Sequence, residues 1–450
     1  MGHPDLAPPA LPPGPRRPAT LQTFAWVARP LPFLETCRRR YGDWFTVRLA
    51  RVGTFVFVAD PAAIKEIFTG DAELLRAGQA NAPLAPVVGP RSVLLLDGAE
   101  HLRQRRLMLP PFHGERMARY GELMAEITEA ELDRWSLREP FALRPRTQAI
   151  TLEIILRVVF GVRDAARLEA LRAALVALLA QSTSPATMLP WLRRDLGPLS
   201  PWRRFLRVRA RVDALIYDEI AHRREDPALE ERDDILSLLL QARDGDGETL
   251  TDRELRDELV TLLVAGHETT ATALAWAFER LLRHPEALER LTVEARDGEE
   301  EGAYAEAVVQ ETLRLRPPLP AVGRMLTEPA QIAGRSLPAG VRLAPSIYLV
   351  HRRADLYPEP GAFRPERFLA SPPETYGWLP FGGGVRRCLG ASFATFEMKI
   401  VLRTILARAR LEADDARPEP VRRRAIVLAP GREGRAVLIE RAPRSAAVAA

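Results

Sequence analysis

The segment Phe381-Gly382-Gly383-Gly384-Val385-Arg386-Arg387-Cys388-Leu389-Gly390 carries one of only two cysteines in a chain of 450 residues. Consecutive glycines let a backbone take positive φ and approach a flat object closely. The thiol falls where a loop gives way to a helical pattern, with Arg386 and Arg387 beside it. A helix N-terminus and neighbouring positive charge both favour the thiolate, which serves as a nucleophile or as a metal ligand. A nucleophile requires a base within reach. No histidine lies in this stretch, so ligation leads. A packed structural thiol is the simpler reading of Cys37, but it leaves the glycines and arginines around Cys388 without a purpose.

A second group is Ala265-Gly266-His267-Glu268-Thr269-Thr270, inside a long helical pattern. Gly and β-branched Thr are poor helix-interior residues, and a Thr hydroxyl can bond back to the carbonyl four residues earlier. Local rules broken together at one place point to function. An acid beside an alcohol suits proton delivery, one group exchanging protons and the other positioning them. His267-Glu268 also begins the zinc pattern His-Glu-x-x-His, but the fifth position is Ala271 and that reading fails. His267 is expected to be a packed or surface histidine.

Both groups resemble signatures of the cytochrome P450 haem-thiolate monooxygenases. The cysteine loop matches Phe-Gly-x-Gly-x-Arg-x-Cys-x-Gly at every fixed position. The resemblance implies haem b, with Cys388 as the axial iron ligand. It implies that Phe381 packs on the thiolate side, that Arg386 hydrogen-bonds a propionate, and that Gly390 lets the next helix lie close to the ring. Ala265 and Gly266 would open room for dioxygen, Thr269 would hydrogen-bond it, and Glu268 would feed protons from solvent.

Three further elements extend the likeness. Glu311 and Arg314 stand at i and i+3, on one helix face. With Arg367 of Pro365-Glu366-Arg367-Phe368 they match the family's buried ion network. His101 and Arg105, at i and i+4, resemble its His-x-x-x-Arg element, where paired cations suit two carboxylates. Arg324 matches a further propionate-contacting arginine in position.

Positioning these groups takes a mainly helical body. A capping box at Thr251-Asp252-Arg253-Glu254 opens a helix that runs to Arg283, before His284-Pro285. Another helix precedes Pro317-Pro318, and one follows the cysteine loop over 391–409. Strands are expected at 44–49, 54–58, 331–333 and 341–343, and a closing hairpin at 425–428 and 436–439 around Pro430-Gly431-Arg432-Glu433-Gly434. Residues 77–92 read as a long loop, and 182–201 as a break between helices. Apolar residues at 82–93 and 188–191 are candidate contacts for a lipophilic guest. Seven prolines in residues 4–18 make an extended leader. The expected division is a Pro-rich leader at 1–20 and a single catalytic domain at 21–450. The implied fold is mainly α with a minor β region, the P450-type triangular prism.

Composition excludes other classes. The net charge of +5 comes from 64 basic and 59 acidic residues that interleave, unlike the concentrated charge of a nucleic-acid binder. Two cysteines cannot build a disulfide framework. No apolar run is long enough for a transmembrane anchor, and no secretory signal is visible, so the expectation is a monomeric cytoplasmic protein. No dinucleotide fingerprint occurs. NAD(P)H would therefore act only indirectly, through a ferredoxin or flavodoxin-type donor and its reductase. Two alternatives stay open: the same scaffold as a peroxygenase or isomerase, and a non-catalytic haem-thiolate sensor.

Overall fold

The computed structural model describes residues 10–112, 116–182, 184, 187, 192–195, 197, 200–297 and 302–444. From residue 10 the leader is extended, as its prolines require, and it is tied to the first strand. Thr46 donates from Oγ1 to the Pro12 carbonyl (2.7 Å) and from its backbone N to Pro13 (3.0 Å). A Cβ on Gly14 would lie 2.0 Å from the Thr46 carbonyl oxygen, so only glycine permits this approach.

Helices α1 (Ala19–Ala28) and α2 (Pro30–Tyr41) lead into strands β1 (Trp44–Leu49) and β2 (Gly53–Val58), paired antiparallel with Leu49 opposite Gly53. Helix α3 (Pro61–Thr69), capped by Asp60 Oδ1 on the Ala62 N–H (3.1 Å), precedes β3 (Leu75–Arg76). The expected loop at 77–92 is instead largely helical, with α4 (Ala77–Asn81), a 3₁₀ turn (Ala82–Leu84) and α5 (Ala85–Val88). Pro83 and Pro86 fall near the starts of these turns, where proline is tolerated. The run is broken by Gly89 at φ +91°, where a Cβ would collide with the Asp257 carboxylate.

Helices α6 (Gly98–Met108) and α7 (Arg116–Leu132), strand β4 (Pro140–Ala142), and helices α8 (Leu143–Val158), α9 (Ala165–Ser182), α10 (Pro201–Arg224) and α11 (Ile235–Gln241) follow. The long helix α12 (Asp252–Leu281) has the expected capping box. Thr251 Oγ1 accepts from the Glu254 N–H (3.3 Å), and Glu254 Oε2 accepts from the Thr251 N–H (2.9 Å). Its 30 residues extend about 45 Å, and it packs against α8 along its middle.

The last third holds α13 (Pro285–Asp297), α14 (Ala303–Leu315), β5 (Arg324–Leu326), β6 (Ala330–Ile332), β7 (Arg335–Leu337), β8 (Arg342–Pro345), α15 (Ile347–Val350), α16 (Arg367–Ala370) and α17 (Ala391–Arg408). Strands β9 (Ala409–Ala413), β10 (Val421–Arg424), β11 (Val427–Pro430) and β12 (Arg435–Arg441) end the described chain. One sheet has the order β1-β2-β8-β5-β3 and another β4-β12-β9; β6-β7 and β10-β11 are hairpins. The body is mainly helical with small sheets, as expected.

The closing hairpin is not formed. The turn at 430–434 exists, but β11 pairs back with β10, whereas β12 pairs with β9 and β4. Burial explains the split. Ala436 and Leu438 of β12 join the main helical core, while Leu428 of β11 joins a separate cluster with Leu31 and Leu34 of α2.

Candidate functional site

The cysteine loop is held on both sides by protein. Its base rests on the end of α3. A Cβ on Gly383 would lie 2.4 Å from the Phe68 ring, and one on Gly384 (φ +64°) 2.0 Å from the Phe68 carbonyl oxygen. Two of the three consecutive glycines therefore serve close packing on Phe68 rather than an approach to a flat guest. Gly382 (φ +68°) and Gly390 meet nothing within 4 Å. The Cys388 N–H donates to the Phe381 carbonyl (2.9 Å), closing the loop three residues before α17 begins. Phe381 packs against the main core and meets Trp378 edge-on, with ring centroids 5.9 Å apart.

Cys388 is accessible although protein surrounds it on most sides. Burial pushes its thiol up, against the lowering effects of the Gly390 N–H and the charges of Arg105 and Arg387. The nearby positive charge thus acts on the thiol in the expected sense, with the surrounding protein opposing it. Arg386 turns away from the sulfur. Its guanidinium donates to the Val93 carbonyl (3.1 Å), the Leu96 carbonyl and Asp97 Oδ1 (2.6 Å).

A cluster of cations gathers beside the loop. His101 and Arg105 share a face of α6, and Arg324 opens β5 with its guanidinium 5.3 Å from the Phe68 ring centroid. Burial drives His101 down to about 3, helped by the charges of Arg386, Arg105 and Arg324. Burial, then the charge of Arg386, lowers Arg324 to about 10. Burial also lowers Arg386 to about 10, with Asp97 opposing and Arg105 adding. Asp97 is the carboxylate paired with this cluster, and it is committed to Arg386 and to the N–H groups of Gly78 and Gln79. Among the described residues, Arg105 and Arg324 form no ion pair. Such a cluster has positive charge to spare for an anionic guest.

In the middle of α12 stand Ala265 and Thr269. Ala265 is exposed in the middle of a helix that is otherwise largely buried. Thr269 donates from Oγ1 to the Ala265 carbonyl (2.6 Å), the i−4 back-bond expected of a helical threonine. Its lone pairs remain free, so in this arrangement it meets a guest as an acceptor.

Glu268 points elsewhere. Its Oε1 accepts from Arg144 Nη2 (2.5 Å) and its Oε2 from Gln148 Nε2 (2.8 Å), both on α8. Arg144 also reaches Glu433 Oε2 (2.9 Å), and Glu433 in turn pairs with Arg424. The acid and the alcohol are thus neighbours in sequence with divergent side chains. Gly266 faces Ile155 Cδ1, with 3.4 Å to an added Cβ, so it lies against α8. His267 is buried and donates from Nε2 to the Gln148 carbonyl (3.1 Å), which makes it a packing residue.

Glu311, Arg314 and Arg367 come together. Arg314 pairs bidentately with Glu311 (2.6 and 2.8 Å), both fully buried, and Arg367 Nε lies 3.3 Å from Glu311 Oε1. Arg314 also donates to the carbonyls of His351 (2.8 Å), Pro360 (2.9 Å) and Ala362 (3.0 Å). His351 extends the network, because its Nε2 accepts from the Leu379 N–H (2.7 Å) and its Nδ1 therefore donates to the Arg314 carbonyl (3.2 Å). Sequence reasoning missed Arg144, Gln148, Asp97 and His351. None of them stands in a motif with its partner, and only proximity in the fold reveals them.

The profile of the family described as Cytochrome P450 matches residues 12–434. The chain belongs to the cytochrome P450 family. A Mycobacterium tuberculosis protein provisionally named cytochrome P450 135B1 is 46% identical over 430 residues, covering 94% of this chain and 90% of the relative. Another from the same species, provisionally named cytochrome P450 137, is 42% identical over 394 residues, covering 88% and 82%. Retinoic acid-bound cyanobacterial CYP120A1 superposes with a TM-score of 0.83 at 26% identity, covering 96% of this chain and 99% of that one. Membership brings a haem iron, dioxygen use and monooxygenase chemistry in general. The residues fit such a group. Cys388 is accessible, the space at Gly382 and Gly390 is open, and Arg105 and Arg324 form no ion pair with a carboxylate among the described residues.

Proposed function

We propose that this P450 inserts one atom of dioxygen into a lipophilic small molecule, by hydroxylation or epoxidation, using electrons from separate proteins. The supporting observation is the accessible Cys388 thiol beside cations that form no ion pair with a carboxylate among the described residues. When bound, haem b supplies the dioxygen activation and the oxidising power, while the chain supplies ligand, protons and pocket.

In this reading Cys388 would hold the iron as its thiolate. Arg105 and Arg324 neutralise the propionates, with His101 as a neutral hydrogen-bonding partner. Arg386 fixes the loop to residues 93–97 and adds its charge from there. Phe381 covers the thiolate side, and Gly390 keeps the start of α17 low. Ala265, exposed in mid-helix, would leave room for dioxygen. Thr269 would accept a hydrogen bond at that space, and Glu268 would pass protons inward on exchanging Arg144 for water. The Glu311, Arg314 and Arg367 network holds the segment leading into the cysteine loop.

The electron donor is a ferredoxin or flavodoxin-type protein with its reductase, where NAD(P)H is consumed. It docks on the arginine-bearing cysteine side, where Arg387 is exposed. No helix among the described residues is long and apolar enough to cross a membrane. We place the protein in the cytoplasm as a monomer, with one catalytic domain over 21–450 behind a leader at 1–20. The substrate contacts are residues 82–93, together with 188–191, which lie outside the described residues. Fatty acids and terpenoids are the favoured substrates, and the retinoic acid named for the cyanobacterial neighbour is a terpenoid acid of this kind. A ligand screen reading haem spin state, followed by turnover with a ferredoxin, its reductase and NADPH, tests the assignment. Product formed only with peroxide would favour the peroxygenase alternative, and no product by either route the sensor.

A further inference from the structure

The outer face of α1 has no role in the chemistry above. Phe24 is 72% exposed and Leu21 and Val27 are each 55% exposed. With exposed Ala28 they form an apolar stripe on the side of the helix opposite buried Gln22. Exposed Thr20, at the N-terminal end of that stripe, is its one polar side chain and carries no charge. On the inner side, Gln22 donates to the carbonyls of Pro15 (3.1 Å) and Arg17 (2.7 Å) and accepts from the Arg48 N–H (2.9 Å), while Trp26 packs on Phe57. The apolar stripe is therefore held outward by a fixed inner face.

Charge frames the stripe. Residues 10–34 contain three arginines and no Asp or Glu. Arg16 and Arg17 stand before the helix, Arg29 directly after it, and Arg48 beside it on β1; all four are exposed. None of their guanidinium groups forms an ion pair or a hydrogen bond among the described residues. Elsewhere arginines are commonly paired, as with Arg103, Arg223, Arg256 and Arg408. Two arginines before a helix N-terminus with no acid in its first turn also oppose the helix dipole. Arg16 and Arg17 thus serve neither the helix nor a local partner, while Arg29, at the C-terminal end, is placed favourably for the dipole but has no partner among the described residues.

We propose that α1 docks this protein on an anionic lipid bilayer, lying flat with Phe24, Leu21 and Val27 in the headgroup–acyl boundary and the four arginines on the lipid phosphates. Its 10 residues span about 15 Å, too short to cross a bilayer, which leaves an in-plane arrangement. A stripe whose only polar member is a terminal threonine hydroxyl, flanked by unpaired cations, matches an anionic membrane surface better than the mixed polar rim of a protein partner.

The test is co-sedimentation of the full-length holoprotein with vesicles of phosphatidylcholine alone or mixed with phosphatidylglycerol. Binding is expected to the mixed vesicles and to weaken with salt. Leu21→Ser/Phe24→Ser should lower partitioning at least about tenfold, and Arg16→Ser/Arg17→Ser about fivefold per arginine. The melting temperature and the spectrum of the reduced carbon monoxide complex should not change in either variant, since these side chains lie outside the core. The proposal is overturned if the wild type stays in solution with phosphatidylglycerol at low salt, or if both variants bind as it does. It is equally overturned if the wild type self-associates without binding vesicles and Phe24→Ser abolishes that association, which would assign the face to a second copy.

Discussion

Arg144 Nη2 sits 2.5 Å from Glu268 Oε1, while its Nη1 sits 2.9 Å from Glu433 Oε2. One guanidinium thus links the acid beside Thr269 to a turn between β11 and β12. The Arg144 side chain is 10% exposed and that of Glu268 20%, so the pair is screened only in part. Arg144→Ala should cost about 2 kcal/mol, between the values for surface and buried pairs. Urea denaturation checks this, and an unchanged midpoint would deny the link any structural weight.

On the proposed reading, Thr269 bears on coupling rather than on folding. Its hydroxyl meets only the Ala265 carbonyl among protein groups, so Thr269→Ala should leave stability within about 1 kcal/mol of wild type. It should divert electrons from product into hydrogen peroxide. Stoichiometry of NADPH consumed, peroxide formed and product formed reports this directly. Wild-type coupling would remove Thr269 from the proton path.

The buried network makes a different demand. Arg314→Ala leaves the Glu311 carboxylate at zero exposure with only the Arg364 N–H (2.8 Å) and the longer Arg367 contact, and takes a donor from each of three carbonyls. A loss of about 3–5 kcal/mol is expected, with mostly haem-free or insoluble protein. Arg367→Ala should be milder in urea, because its 3.3 Å contact with Glu311 is longer and its side chain is 13% exposed, but should likewise impair haem retention. Well-folded holoprotein from both variants would count against the network's role.

Glu397 on α17 is buried with no partner for Oε1, and burial raises it to about 8. An acid raised in the folded state is protonated there while the unfolded chain is ionised. Between about 4.5 and 8 it therefore removes stability as pH rises, by about 1.4 kcal/mol per unit. Glu397→Gln, a neutral isostere, should be more stable than wild type at pH 8 and should flatten that slope. His351 acts in the opposite sense. Burial lowers it to about 3, so stability falls as pH drops below about 6.5, where the unfolded histidine takes a proton. Urea midpoints between pH 5 and 8 separate the two, and a Glu397→Gln slope equal to wild type would refute the protonated acid.

Chemistry carried by neighbours in the chain was readable without coordinates. The loop-to-helix position of Cys388, Glu311 with Arg314, and the capping box of α12 each pack a physical requirement into a few consecutive residues. Partners from distant segments were not readable. Arg144 meets Glu268 from 124 positions away, and His351 meets Arg314 from 37. The same limit explains Gly383 and Gly384, whose reason is the Phe68 backbone and ring, and the false hairpin at 425–439, whose turn is real but whose strands answer to different cores. The helical turns at 77–88 were hidden because proline and glycine suggested a loop, although the prolines stand where short helices begin.

Iron ligation by the sulfur of residue 388 can be read from the reduced carbon monoxide difference spectrum. The wild-type protein should give the red-shifted Soret band of a thiolate-ligated haem, and Cys388→Ala should lose that band. A band that persists in Cys388→Ala, or that never forms in the haem-loaded wild type, would contradict the assignment.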